Sequence, residues 1–251
     1  MKGFCVIWLS CLGLSSWLCP LQAAESQVTA LPRAQIYLIT EEMPAPDGTE
    51  SASTQRLRRQ LATFPGLQYD IHYVSWPKAL AEVARRSDAL VYKIARTPSR
   101  EARYHWLFPN ETTNLHLYAL ADQPLRHASL QQIQQLPTLK IACPAQSAHC
   151  EMLRLRGFSQ EQVLEVRLSE QTSVERLLLA KRVQFIAVAA EDFRRRMALL
   201  KVPSKAYVTG PQVASLTDYL AGGPTLHPEL RQLLTRDSVP QPTATATTIR
   251  R

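Results

Sequence analysis

Along this chain the apolar positions alternate between a period of two and a period near 3.6, the signature of strands interleaved with helices. Residues 35–40 form a β-rich run, 51–64 place Leu57, Leu61 and Phe64 on one helical face, and 69–74 are strand-like again. Ser75 and Pro77 open a helix that runs to Arg86, and 89–94 is a short apolar strand. A further strand-like run, 114–121, ends this first group. The alternation then restarts with a short helix near 129–136, a strand at 139–143 and a helix from about Ser147 that Gly157 ends. A strand at 163–168 follows, then a capping box, Thr172-Ser-Val-Glu175, opening a helix to Arg182, a strand at 184–189 and a helix at 190–200.

Two α/β units therefore succeed one another. The segment 205–234 holds a strand, the stretch Asp218-Tyr-Leu-Ala-Gly-Gly and a helix from His227 or Pro228; it is too short for a third domain and must pack on one of the two units. The end, VPQPTATATTIRR, has little to bury, and a disordered tail is expected over 239–251.

The first residues change the setting. Lys2, an apolar stretch from Phe4 to Cys19, and the small pair Ala23-Ala24 before Glu25 read as a secretory signal peptide over 1–24. The stretch is shorter than the roughly 20 residues of a spanning helix, and neither Cys11 nor Cys19 follows a small-residue lipobox. Export to the periplasm is the expectation. Cleavage would leave Cys143 and Cys150 as the only cysteines. In an oxidising compartment they suggest a local disulfide; a metal site with His149, which lacks a clear fourth ligand, and two free thiols are the alternatives. The whole chain carries +8, and loss of Lys2 leaves +7. The arginines are scattered over helix faces without interleaved aromatics, which fits a solvated surface and excludes nucleic acid as the expected partner.

Against this background three stretches are specific: IYLITEEMPAPDG, WPKALAEVARRSDALVY and IARTPSREARYHWLFP. With them the chain resembles the family 3 extracellular solute-binding proteins, which include the polar amino-acid receptors of ABC importers. The resemblance covers almost the whole mature chain, and its most specific part is the Thr-Pro-Ser-Arg-Glu block followed by an aromatic and a Pro. It implies the type II periplasmic-binding-protein fold, an α/β fold of two lobes with ligand in the cleft between them. Lobe one would comprise 25–117 and 206–238, lobe two 118–205, with crossing strands near 115–122 and 205–209. A monomer without a cofactor is expected.

In open α/β sheets, ligands lie beyond the carboxyl ends of the strands, where 89–94 delivers residues 95–100. Arg100 matches the family's arginine that holds a ligand carboxylate, a task suited to a planar, always-charged pair of donors; Thr97 would add a hydroxyl. The bland alternative pairs Arg100 with Glu101 or Glu111 on the surface. Residues 103–109 are read as finishing the first core. From the second lobe, Gln146 and Ser147 stand before a helix N-terminus, where Ser147 would cap the helix or touch ligand. Amino-acid receptors commonly present an acid after the strand at 184–189, but this chain has Ala189-Ala190 there, with Glu191 and Asp192 slightly later. Glu41 is the alternative ammonium partner. Trp76 and Tyr92 are candidates for lining the cleft, although such aromatics also serve as core.

Binding would then favour a closed arrangement of the lobes, to be recognised by an ABC permease or a membrane sensor. No Gly-x-Ser-x-Gly, His-Glu-x-x-His, phosphate loop or paired-cysteine metal motif is present. Enzymatic use of a cleft carboxylate, Glu41 or Glu101, and a degenerate member that binds no solute are the lesser readings, and no catalytic residue is assigned.

Overall fold

The computed structural model describes residues 32–39, 42–45, 47–169 and 172–235. The expected signal peptide, Glu41 and the tail at 239–251 lie outside these residues. Five elements open the fold: β1 (Ala34–Ile39), α1 (Ala52–Leu61), β2 (Tyr69–Val74), α2 (Trp76–Arg85) and β3 (Ala89–Ala95). A long strand β4 (His105–Leu120) leads to α3 (Leu130–Gln134), β5 (Ile141–Pro144), α4 (Ala148–Leu155), β6 (Val163–Val166), α5 (Val174–Leu179), β7 (Phe185–Ala189) and α6 (Ala190–Leu199). A second long strand, β8 (Tyr207–Gly222), precedes α7 (Pro228–Thr235).

The strand order is β2-β1-β3-β8-β4-β7-β5-β6. β1 pairs in parallel with β2 and β3, and β5 in parallel with β6 and β7. Between these two parallel groups run β4 and β8, antiparallel to each other. β3 takes up the end of β8 from Asp218 to Gly222, whereas β7 takes up the end of β4 from Leu115 to Tyr118. Each long strand thus starts in one half of the sheet and finishes in the other. Ile36, Leu38, Leu57, Leu90 and Leu220 fill the core of the first half; Leu117, Ile141, Leu153, Phe185 and Ala187 fill that of the second.

Several boundaries differ from the sequence reading, β8 running unbroken from Tyr207 to Gly222 among them, and two of the differences have a local reason. β4 begins at His105 rather than near 114. Pro109 sits inside it because the pairing with β8 shifts register between Pro109 and Glu111, an irregularity that tolerates a residue lacking an amide proton. The N-cap of α5 is Ser173, whose hydroxyl accepts from the Arg176 amide at 3.3 Å, and not Thr172. Gly157 ends α4 as its sequence position suggests, with φ 91°, a left-handed turn that suits glycine.

Cys143 and Cys150 are disulfide-bonded, with Cα atoms 5.5 Å apart, which ties the end of β5 to the first turn of α4. Their sulfurs are therefore not thiolate ligands for a metal. Closing so short a loop contributes about 2 kcal/mol through the unfolded chain, and it pins the segment that carries Gln146.

Gly223 explains the second glycine of Asp218-Tyr-Leu-Ala-Gly-Gly. A Cβ there would lie 2.0 Å from the carbonyl oxygen of Val83, a backbone atom of α2 that cannot swing away. Gly223→Ala should cost about 2–3 kcal/mol in denaturant unfolding; a substitution that leaves the midpoint unchanged would mean that β8 and α2 are not packed this closely.

Candidate functional site

The carboxyl ends of β1, β2 and β3 deliver Glu42, Trp76 and the loop 96–100. Those of β5 and β7 deliver Gln146 and the first turns of α4 and α6. These two sets meet. Arg100 donates from Nη1 to the Ala95 carbonyl at 3.2 Å and from Nη2 to the Gln146 carbonyl at 2.8 Å, and its guanidinium lies 5.6 Å from the Trp76 ring centroid. Trp76 Nε1 donates to the same Gln146 carbonyl at 3.1 Å. Gln146 has φ 60°, a left-handed backbone uncommon outside glycine and found where structure around it imposes it. The disulfide-tied loop supplies that constraint.

Thr97, also buried, donates its hydroxyl to Glu151 Oε2 at 2.8 Å. Ser99 adds its amide to Oε1 at 3.1 Å and its hydroxyl to Oε2 at 2.7 Å. A carboxylate from α4 therefore fills a nest of three donors presented by the first half.

Arg100 pairs with neither acid considered for it. Glu101 is held by Arg96, and Glu111 by Arg56 and Lys93. Burial pulls the Arg100 guanidinium below its ordinary pKa, with Tyr104 and Glu151 acting the other way. Ser147 is the N-cap of α4, yet its side chain makes no capping hydrogen bond. Tyr92 is not brought to this group: it is buried in the first core, its hydroxyl donating to Asn110 Oδ1 at 2.6 Å with the Ser53 carbonyl oxygen 3.2 Å away. Burial pushes its phenol up to about 12.

Beside Arg100 lies an ionic centre that the sequence reading did not single out. Lys93 Nζ is 3.2 Å from Glu42 Oε1 and 3.3 Å from Glu111 Oε1, and Arg195 of α6 reaches Glu42 at 3.5 Å. Ser51, the N-cap of α1, donates to Glu42 Oε2 at 2.6 Å. Lys93 has φ 61°, at the point where the β3–β8 register shifts. Burial opposes its charge, but Asp192, Glu42, Glu111 and Asp218 outweigh that and raise its pKa. Two signals in the sequence point here: Lys93 is the one charged residue of ALVYKIA, and Asp218 sits in an apolar run.

Asp218 and His149 are shifted in opposite senses. Burial, with Glu111 and Asp192 adding to it against Lys93, raises the Asp218 carboxyl to about 7. Burial, with Arg100 adding to it against Asp192, lowers His149 to about 4, and its buried Nδ1 has no hydrogen-bond partner among the described residues.

No family model and no curated protein matches the sequence. Solved structures do match. A histidine kinase sensor domain described as similar to periplasmic binding proteins superposes with a TM-score of 0.68 at 15% identity, over 82% of this chain and 88% of its own. The arginine-, lysine-, histidine-binding protein ArtJ from Geobacillus stearothermophilus gives 0.65 at 12% identity, over 81% and 87%. EhuB, solved with hydroxyectoine, gives 0.65 at 16% identity, over 80% of each chain. At such identities the likeness establishes the fold: the chain has the two-lobe α/β architecture of periplasmic binding proteins, with β4 and β8 as the crossing strands.

The two shifted groups should oppose each other as pH changes. Asp218 binds its proton more tightly folded than unfolded, so its contribution is full below its ordinary value of 3.8 and is lost as pH rises through about 7. His149 resists protonation when folded, so its contribution is full above 6.5 and is lost as pH falls toward 4. Asp218→Asn should leave a protein that weakens from pH 7 to 4, and His149→Gln one that weakens from pH 4 to 7, each by at least about 1 kcal/mol. Parallel pH–stability curves for wild type and both variants would contradict these assignments.

Proposed function

We propose that this chain is an exported, monomeric solute-binding module of the periplasm whose lobes, 25–117 with 206–238 and 118–205, close on a small carboxylate-bearing solute. Arg100 carries the reading. It is a buried guanidinium whose hydrogen bonds go to two neutral carbonyls and, among the described residues, to no carboxylate. An unpaired buried charge is costly, and an anion reaching it from the cleft removes that cost. The Trp76 ring and the Gln146 carbonyl contact the guanidinium and the Thr97 carbonyl accepts from the Arg100 amide, which supports the anion grip expected from the sequence. Lys93 already gives an ammonium to the acids Glu42 and Glu111. A solute's own ammonium must compete with it, or reach Glu41, so carboxylates without an amino group fit the centre at least as well as amino acids.

The closed form would be read by a membrane partner, an ABC permease or a sensor. Structural neighbours of both kinds exist: a cystine ABC transporter protein and a histidine kinase sensor domain. Binding without turnover is the proposed activity.

The test is a thermal-shift screen of the mature protein against carboxylates and amino acids. A ligand at a hundredfold its dissociation constant stabilises the native state by about 2.7 kcal/mol. A hit should be lost in Arg100→Ala and weakened in Arg100→Lys, which keeps the charge and loses the fork. A hit retained in full by both variants would move the site away from Arg100.

A further inference from the structure

In this structure the nest at the tip of the loop after β3 already holds a carboxylate, and that carboxylate belongs to the chain. Glu151 is one turn into α4, behind the disulfide-pinned loop, and both of its oxygens point across the cleft. Oε2 accepts from the hydroxyls of Thr97 and Ser99 at 2.8 and 2.7 Å, and Oε1 accepts from the Ser99 amide at 3.1 Å. Two hydroxyls and a main-chain N–H converging on both oxygens of one carboxylate make a receptor for that group, since hydrogen bonds to an ionised acceptor are the short, strong kind. The second strand of the contact is the Gln146 carbonyl, which accepts from Arg100 and Trp76 at 2.8 and 3.1 Å. Every donor comes from the first half of the molecule and every acceptor from the second. A free carboxylate that closed the lobes would be held by the same donors.

We propose that Glu151 is a tethered carboxylate ligand: it occupies the Thr97–Ser99 nest in the solute-free protein, holds the two halves together, and must be displaced by any solute carboxylate that enters. A tethered group acts at a high effective concentration set by its short, rigid attachment. Free carboxylates therefore bind the wild-type cleft weakly, and the identity of residue 151 sets which solutes succeed. This rests on the cleft being the recognition site, but not on any natural solute being found.

Acetate is the probe. Glu151→Ala should lower the melting temperature by a few degrees and speed hydrogen exchange at the Ser99 amide, which loses its acceptor. Millimolar acetate, at ionic strength matched with chloride, should restore both in Glu151→Ala while shifting wild type far less, because there the nest is filled. Thr97→Val with Ser99→Ala, a change made wholly on the other side, should destabilise the wild-type background, add little to Glu151→Ala, and abolish the acetate rescue. The proposal is overturned if acetate shifts wild type and Glu151→Ala equally, if Ser99 exchanges at the same rate in both, or if the losses from the two sides simply add. A solute screen that fails while acetate rescue succeeds would remove the receptor reading and leave the latch. The opposite pair of results would remove the latch alone.

Discussion

Burying a guanidinium between two lobes constrains everything near it. Arg100 has five donors and no means of losing its charge, so it can leave water only where acceptors are fixed in advance. One is the carbonyl of its own strand end at Ala95; the other is the Gln146 carbonyl from the opposite lobe. The second requires a left-handed residue at 146, a short loop to hold it and a helix behind it, and the disulfide between Cys143 and Cys150 encloses that loop. The guanidinium also lies over the Trp76 ring, 5.6 Å from its centroid.

The ionic centre extends the same logic. Glu42, Lys93, Glu111, Asp192, Arg195 and Asp218 come from the segment after β1 and from β3, β4, α6 and β8, so no single element carries the cluster. Lys93 compensates three or four acids at once, which lets a lysine stay charged while mostly buried. Arg195 adds a cation from the second lobe to an acid of the first. The two halves are thus joined by two kinds of contact, a carboxylate in a nest of neutral donors and an ion pair between Arg195 and Glu42 at the edge of a shared set of opposite charges.

Much of this was legible in the sequence because it is local. Periodicity places nearly every strand and helix, and the strand at 89–94 followed by Thr97 and Arg100 indicates where a site should be. Elements were misjudged where a register shift overrides a residue's usual preference, as at Pro109 in β4. Glu151 and Lys93 were not singled out because their meaning is long-range. Glu151 reads as an ordinary first-turn acid of α4, suited to the helix dipole, until the fold sets Thr97 and Ser99 opposite it, more than 50 residues earlier in the chain. Tyr92 shows the reverse: its strand position suggests the cleft, but alternation turns it toward the core, where Asn110 holds its hydroxyl.

The central claim is that the lobes stand closed through the chain's own groups, before any solute arrives. Small-angle X-ray scattering of the solute-free mature protein tests it most directly. A curve reproduced by the closed structure, with a larger radius of gyration in Glu151→Ala that acetate reverses, is the predicted result; a wild-type radius already as large as that of Glu151→Ala would contradict it.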